Sequence, residues 1–152
     1  MDDDLAVVAR QLGRRPRAFR RVVVRCPYGR PAVTEQAALD EDGRPFPTMY
    51  WLTCRYLVEA VSRLEAAGGV ERWSRAAADD PELAASLAAA HDEQRRLRPE
   101  LEVGIGGARR GAGGLKCLHA HAAFALARPG YELGERILGE LEPMWPNRCC
   151  AD

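Results

Sequence analysis

Residues 102–114 read EVGIGGARRGAGG, with six glycines in thirteen positions. Glycine loses more backbone entropy on ordering than any other residue, so this run suits neither a helix interior nor a strand. It must be a loop, and the stretch GAGGLKCLHAH (residues 111–121) straddles its end. That stretch holds Lys116, the single lysine, together with one of the five cysteines and two of the three histidines. The spacing predicts a helix over 115–127, stopped by Pro129 and Gly130.

The rest of the chain arranges itself around this loop. Residues 2–12 carry Leu5, Val8, Ala9 and Leu12 at helical spacing, with aspartates at the start and Gly13 to end the helix. RVVVRC (21–26) is β-branched and reads as a strand, with CPYGRP as a turn. Residues 32–38 and 44–46 flank LDEDG, the pattern of a hairpin turning at Asp42–Gly43. Thr48 stands as N-cap of a helix whose stripe is Met49, Leu52, Tyr56, Ala60 and Leu64, closed by Gly68–Gly69. Short helices follow over 70–78 and from Asp80–Pro81 to about Leu97, then a last one over 133–141. The expectation is an α+β fold in one domain over 1–152. A small antiparallel sheet of about three strands near the N-terminus packs with about five helices, and helix dominates.

Composition excludes some classes of function. Formal net charge is zero, which removes the bulk attraction that nucleic-acid and membrane binders rely on. No apolar run approaches the roughly 20 residues of a membrane span. The start MDDDLAVVAR is acidic and does not read as a signal peptide, so the expected compartment is the cytoplasm. There the cysteines read as thiols or ligands rather than as a disulfide frame.

On a helix running from 115, Cys117 and His121 are four apart and share a face, as two metal ligands would. Cys26 at a strand end and Cys54 in the following helix would complete a Cys₃His set suited to tetrahedral zinc. His119 would then serve as a proton shuttle or support for a ligand, or replace His121 if the helix begins late. Cys149 and Cys150 offer a fourth thiolate instead, and four thiolates would suit an iron–sulfur cluster. The opposing reading is that free cysteines act as small buried hydrophobes. His91 reads as part of a surface triplet with Asp92 and Glu93, able to approach the metal face only if its helix packs on 115–127.

The glycine run offers a second chemistry. Successive backbone N–H groups at Gly111, Gly113 and Gly114 can form an anion nest, with Arg109, Arg110 and Lys116 beside it and a helix start behind. The phosphate-loop pattern fails, because the order is Gly114–Leu115–Lys116–Cys117 rather than Gly-Lys-Ser/Thr. The opposing reading is a surface loop with solvated arginines.

Three stretches, LGRRPRAFRRVVVRCPYGRPAV, PFPTMYWLTCRYL, and GIGG followed by GLKCLHAH, together resemble the DUF501 family, a bacterial domain of unknown function common in actinobacteria. The likeness runs over nearly the whole chain. In that family proline often follows the cysteine of WLTC, whereas Arg55 stands there in this chain. The resemblance implies that RCPYG, WLTC and KCLHAH form one set, and it brings no established reaction. Family genes often neighbour those for a septum-formation protein and an exopolyphosphatase-like enzyme, which implies division- or phosphate-related work.

Three functional readings follow. The first is a zinc enzyme acting on a small anionic molecule, with His119 moving protons and the glycine loop holding the anion. The second is a non-catalytic, zinc-stabilised module that meets a protein partner through an apolar patch around Trp145. The third is an iron–sulfur protein.

Overall fold

A computed structural model describes residues 3–150. Helix α1 (Asp4–Leu12) starts where Asp3 accepts a hydrogen bond from Leu5 N, and ends at Gly13, whose φ of 74° is left-handed. The expected start at Asp2 lies outside the described residues.

Strands β1 (Phe19–Arg25) and β2 (Pro31–Gln36) form an antiparallel pair, closed by the CPYGR turn through Gly29 N to Cys26 O and Cys26 N to Arg30 O. Every residue of β2 is buried, as befits the middle strand of the order β1-β2-β3. The turn at Asp40–Gly43 forms as its residues suggest, with Asp40 Oδ1 accepting from Asp42 N and Arg44 N. Next to the turn its arms pair at the single bridge Leu39–Pro45: the first expected arm, 32–38, runs largely in β2, whereas 44–46 is no strand of the sheet.

The third strand is β3 (Tyr50–Leu52), antiparallel to β2. This corrects the expected helix start at Thr48. Tyr50 and Leu52 point inward while Trp51 is half-buried against Phe46, a period of two rather than of 3.6. Helix α2 (Arg55–Ala66) begins only after Cys54. Arg55 therefore occupies the first helical position, a place that proline also suits.

Helix α3 (Gly69–Asp79) leads into α4 (Pro81–Leu97), which opens as its sequence predicts: Asp80 accepts from Glu82 N and Leu83 N, and Pro81 is the first residue. The glycine-rich run is irregular apart from one 3₁₀ turn at Ile105–Gly107. Helix α5 (Leu118–Ala127) is the hub. Seven of its ten residues are buried, and its alanines let β3, α2 and α6 (Glu132–Leu138) approach closely. Phe124 fills the centre, edge-on to Tyr50 and Tyr131 at 5.7 and 5.8 Å. The result is a three-stranded antiparallel sheet with six α-helices among the described residues, an α+β fold dominated by helix.

The tail is held down rather than free. Tyr56 Oη donates to Pro143 O at 2.9 Å and Tyr28 Oη to Pro146 O at 2.6 Å. Trp145 is half-buried against the core, so the tail does not display it as an apolar patch.

Candidate metal centre and a second cleft

Helix α5 begins at Leu118, three residues later than its sequence pattern suggests, and this shift rearranges the site. Cys117 is the N-cap, with φ −153° and ψ 149°, and its sulfur accepts from Ala120 N at 3.4 Å. His121 turns into the core against Tyr131, whereas Cys117 gathers with His119. His119, the alternative for a late start, takes that place.

The partner of Cys117 and His119 is Glu65. The candidate ligand atoms of Glu65, Cys117 and His119 all lie within 4.8 Å of one another, and no other such group of His, Cys, Asp or Glu occurs among the described residues. Glu65 sits in the last turn of α2, where Oε2 accepts from Leu118 N at 2.7 Å and so caps α5 from outside. The same Oε2 lies 3.2 Å from His119 Nδ1. His119 Nε2 lies 3.1 Å from Val58 O and 3.1 Å from Ser62 Oγ. Ser62 and Glu65 are three apart and share a face of α2.

Val58 O can only accept, whereas Ser62 Oγ can donate or accept, so the ring's contacts are met either with the proton on Nε2 facing Val58 O or with it on Nδ1 facing Glu65 Oε2. In the first tautomer Nδ1 turns a lone pair toward the carboxylate, an arrangement that a bound cation would complete. Ligands about 2.0–2.1 Å from a tetrahedral zinc stand about 3.3 Å apart, close to the separation seen. Both side chains are about one-quarter exposed, so the group is reachable from solvent.

Cys117 and His119 form one wall of a cleft of about 390 Å³. Arg14 lines it, its guanidinium 5.3 Å over the ring of Trp51. Gln11 and Thr53 line it too, and Gln11 Oε1 and Thr53 Oγ1 are buried without a hydrogen-bond partner.

The other expected ligands are elsewhere. Cys26 stays in the β1–β2 turn, buried. Cys54 Sγ lies 3.4 Å from Cys150 Sγ, and burial, followed by that neighbouring thiol, pushes its pKa up to about 12. A metal binds the thiolate, so this environment opposes the role expected of Cys54. The tail thus supplies Cys150 as a partner of Cys54, not as a fourth ligand beside Cys117. His121 is buried, with Nδ1 2.8 Å from Tyr131 Oη, and burial followed by the nearby His91 holds its pKa down to about 3. It is a neutral core histidine. His91 is no surface residue either: its helix packs mainly on α3 and α6, and its buried ring reaches to 6.0 Å from that of His121.

The glycine loop faces a different cleft, of about 450 Å³, between α3 and α4. Arg109, Arg110, Gly111, Gly113 and Gly114 line it together with His91. Lys116 does not; its Nζ donates to Gly107 O at 3.2 Å. The start of α5 belongs to Cys117 and not to this loop. The two chemistries expected to meet at Lys116 are therefore two sites with no lining residue in common.

Glu65 escaped the sequence reading. One signal was present: an acid in the last turn of a helix opposes the helix dipole and so asks for a compensating partner.

No described helix is long and apolar enough to cross a membrane. The chain matches no curated protein and no solved structure. A family model described as a protein of unknown function, DUF501, matches residues 22–139, which include WLTC, GIGG and GLKCLHAH. With well over half its length inside that match, the chain belongs to the DUF501 family.

Proposed function

We propose that this protein is a mononuclear metal enzyme, with zinc held by Glu65, Cys117 and His119, that activates water against a small anionic substrate in the adjoining cleft. The observation that carries this reading is the convergence of Glu65, Cys117 and His119, whose candidate ligand atoms all lie within 4.8 Å of one another, with Val58 O 3.1 Å from the ring's other nitrogen. Carboxylate, thiolate and imidazole form a donor set that suits zinc. The Nε2–H···O=C bond is the usual support of a metal-bound histidine.

Three protein ligands leave one position of a tetrahedral ion for water, whose pKa on zinc falls to about 7. That position would face the cleft. Arg14 supplies positive charge for an anionic group, and the unpartnered Gln11 Oε1 and Thr53 Oγ1 offer acceptors to a polar substrate. Glu59, the one acid lining the same cleft, would be the residue to take a proton from attacking water.

Competition titration of metal-free protein with zinc against a chromogenic chelator tests the reading. One zinc per chain is expected, with affinity weakened more than about 100-fold in Cys117→Ser, since even supporting residues cost 10–100-fold. No stoichiometric uptake by the wild-type chain would overturn it. A second reading rests on Glu65 joining the end of α2 to the start of α5. There the metal is a staple of a non-catalytic module. Zinc binding with a raised melting temperature, but with no exchangeable water ligand on the metal, would favour it.

A further inference from the structure

The cleft between α3, α4 and the glycine loop has chemistry that the metal reading does not use. Its one acid, Asp92, is already paired with Arg95 at 2.9 Å. Arg109 and Arg110 are exposed and have no acidic partner among the described residues. The N–H groups of Gly111, Gly113 and Gly114 make no hydrogen bond within the described protein, while Ala112 N and Leu115 N are satisfied by Arg109 O and Ser74 Oγ. These glycines are exposed, so their N–H groups are open to an anion from solvent.

The back of the cleft repeats this imbalance in buried form. His91 is 92% buried by its 8% exposure, and Nδ1 accepts from Ile105 N at 3.0 Å. The proton of a neutral His91 is therefore on Nε2, and Nε2 is buried with no partner. Burial, then the charge of Arg95, hold the pKa of His91 down, so the ring is neutral. Arg95 Nε is also buried and unpartnered. The ring's position is built in: a Cβ on Gly104 would stand 2.3 Å from His91 Nδ1, so only glycine lets the loop close on it. Two unpaired buried donors beside two guanidiniums without acidic partners leave the cleft rich in donors and short of acceptors.

We infer that this cleft is a binding site for a phosphate-bearing small molecule, separate from the metal centre. Arg109 and Arg110 fork the phosphate oxygens, the N–H groups of Gly111, Gly113 and Gly114 cradle them, and the donors of His91 and Arg95 wait at the back. Leu87, Ala77 and Ala88 give the cleft an apolar side, which favours an organic phosphate over a bare ion. This goes beyond the metal reading and does not depend on it.

Calorimetric titration of the full chain with inorganic pyrophosphate and with phenyl phosphate, at low salt, tests the site. Saturable one-to-one binding is expected, unchanged by chelator treatment and by Cys117→Ser. It should weaken at least tenfold in the double variant Arg109→Ala/Arg110→Ala, whose fold is safe because both residues are exposed. His91→Gln, which keeps an acceptor and a donor, should bind more tightly than His91→Phe. No saturable binding of either probe, binding that survives the double variant, or binding lost with the metal would each overturn the assignment.

Discussion

His119 and His121 stand two residues apart on α5 and have opposite surroundings. His119 is reachable from a cleft, backed by Val58 O and set against the Glu65 carboxylate. His121 is sealed in the core against Tyr131, with no carboxylate in hydrogen-bond contact. Chemistry follows the side on which each ring emerges from the helix, and that side is set by where the helix begins. In KCLHAH the two histidines look interchangeable, yet two residues, a little over half a helical turn, separate a ligand geometry from a packing geometry.

The contrast breaks if the two rings can exchange effects. His119→Ala should weaken zinc binding more than about 100-fold in the chelator competition, with stability of the metal-free protein changed by less than about 1 kcal/mol. His121→Ala should do the reverse: zinc affinity per folded chain is retained, and urea unfolding shows a loss of about 2–4 kcal/mol from the emptied core and the orphaned Tyr131 hydroxyl. Zinc binding lost from a well-folded His121→Ala protein would contradict the division of labour.

Acid sharpens the same comparison. The folded chain holds His121 near pKa 3, against an ordinary value of 6.5 in the unfolded chain. Between those values the unfolded state binds the extra proton, so stability is full above about pH 6.5 and is lost as pH falls. The expected slope from this residue is about 1.4 kcal/mol per pH unit in that window. His91, whose pKa is also lowered, adds in the same direction. Urea unfolding of the metal-free protein at pH 7 and at pH 5.5 should show the loss, and His121→Gln should reduce its slope by one proton. An unchanged slope in that variant would place the acid sensitivity elsewhere.

The sequence was most legible where local chemistry decides structure. The caps at Asp3 and Asp80, the stop at Gly13 and the turn at Asp40–Gly43 all stand where turn and cap chemistry put them. It was least legible where tertiary contact decides. Tyr50–Leu52 is a short apolar run that fits a helical stripe as readily as a strand, and only pairing with β2 settles it. The start of α5 is set by a carboxylate from another helix, Glu65 on Leu118 N, which no local pattern encodes. That one long-range bond moved the site from His121 to His119. Lys116 was misplaced by the same shift, and its expected effect is the smallest: Lys116→Ala should change pyrophosphate affinity less than twofold, and a tenfold loss would return it to the anion cleft.

The central claim concerns the ion between His119 and Glu65, and cobalt substitution addresses it most directly. Metal-free protein loaded with one equivalent of Co²⁺ should show intense visible bands of a tetrahedral site and a near-ultraviolet sulfur-to-cobalt charge-transfer band. Cys117→Ser should abolish the charge-transfer band, while Cys54→Ser should leave it intact. A weak, octahedral-type spectrum without sulfur character, or a charge-transfer band that vanishes with Cys54 rather than Cys117, would contradict the assignment of Glu65, Cys117 and His119 as the metal centre.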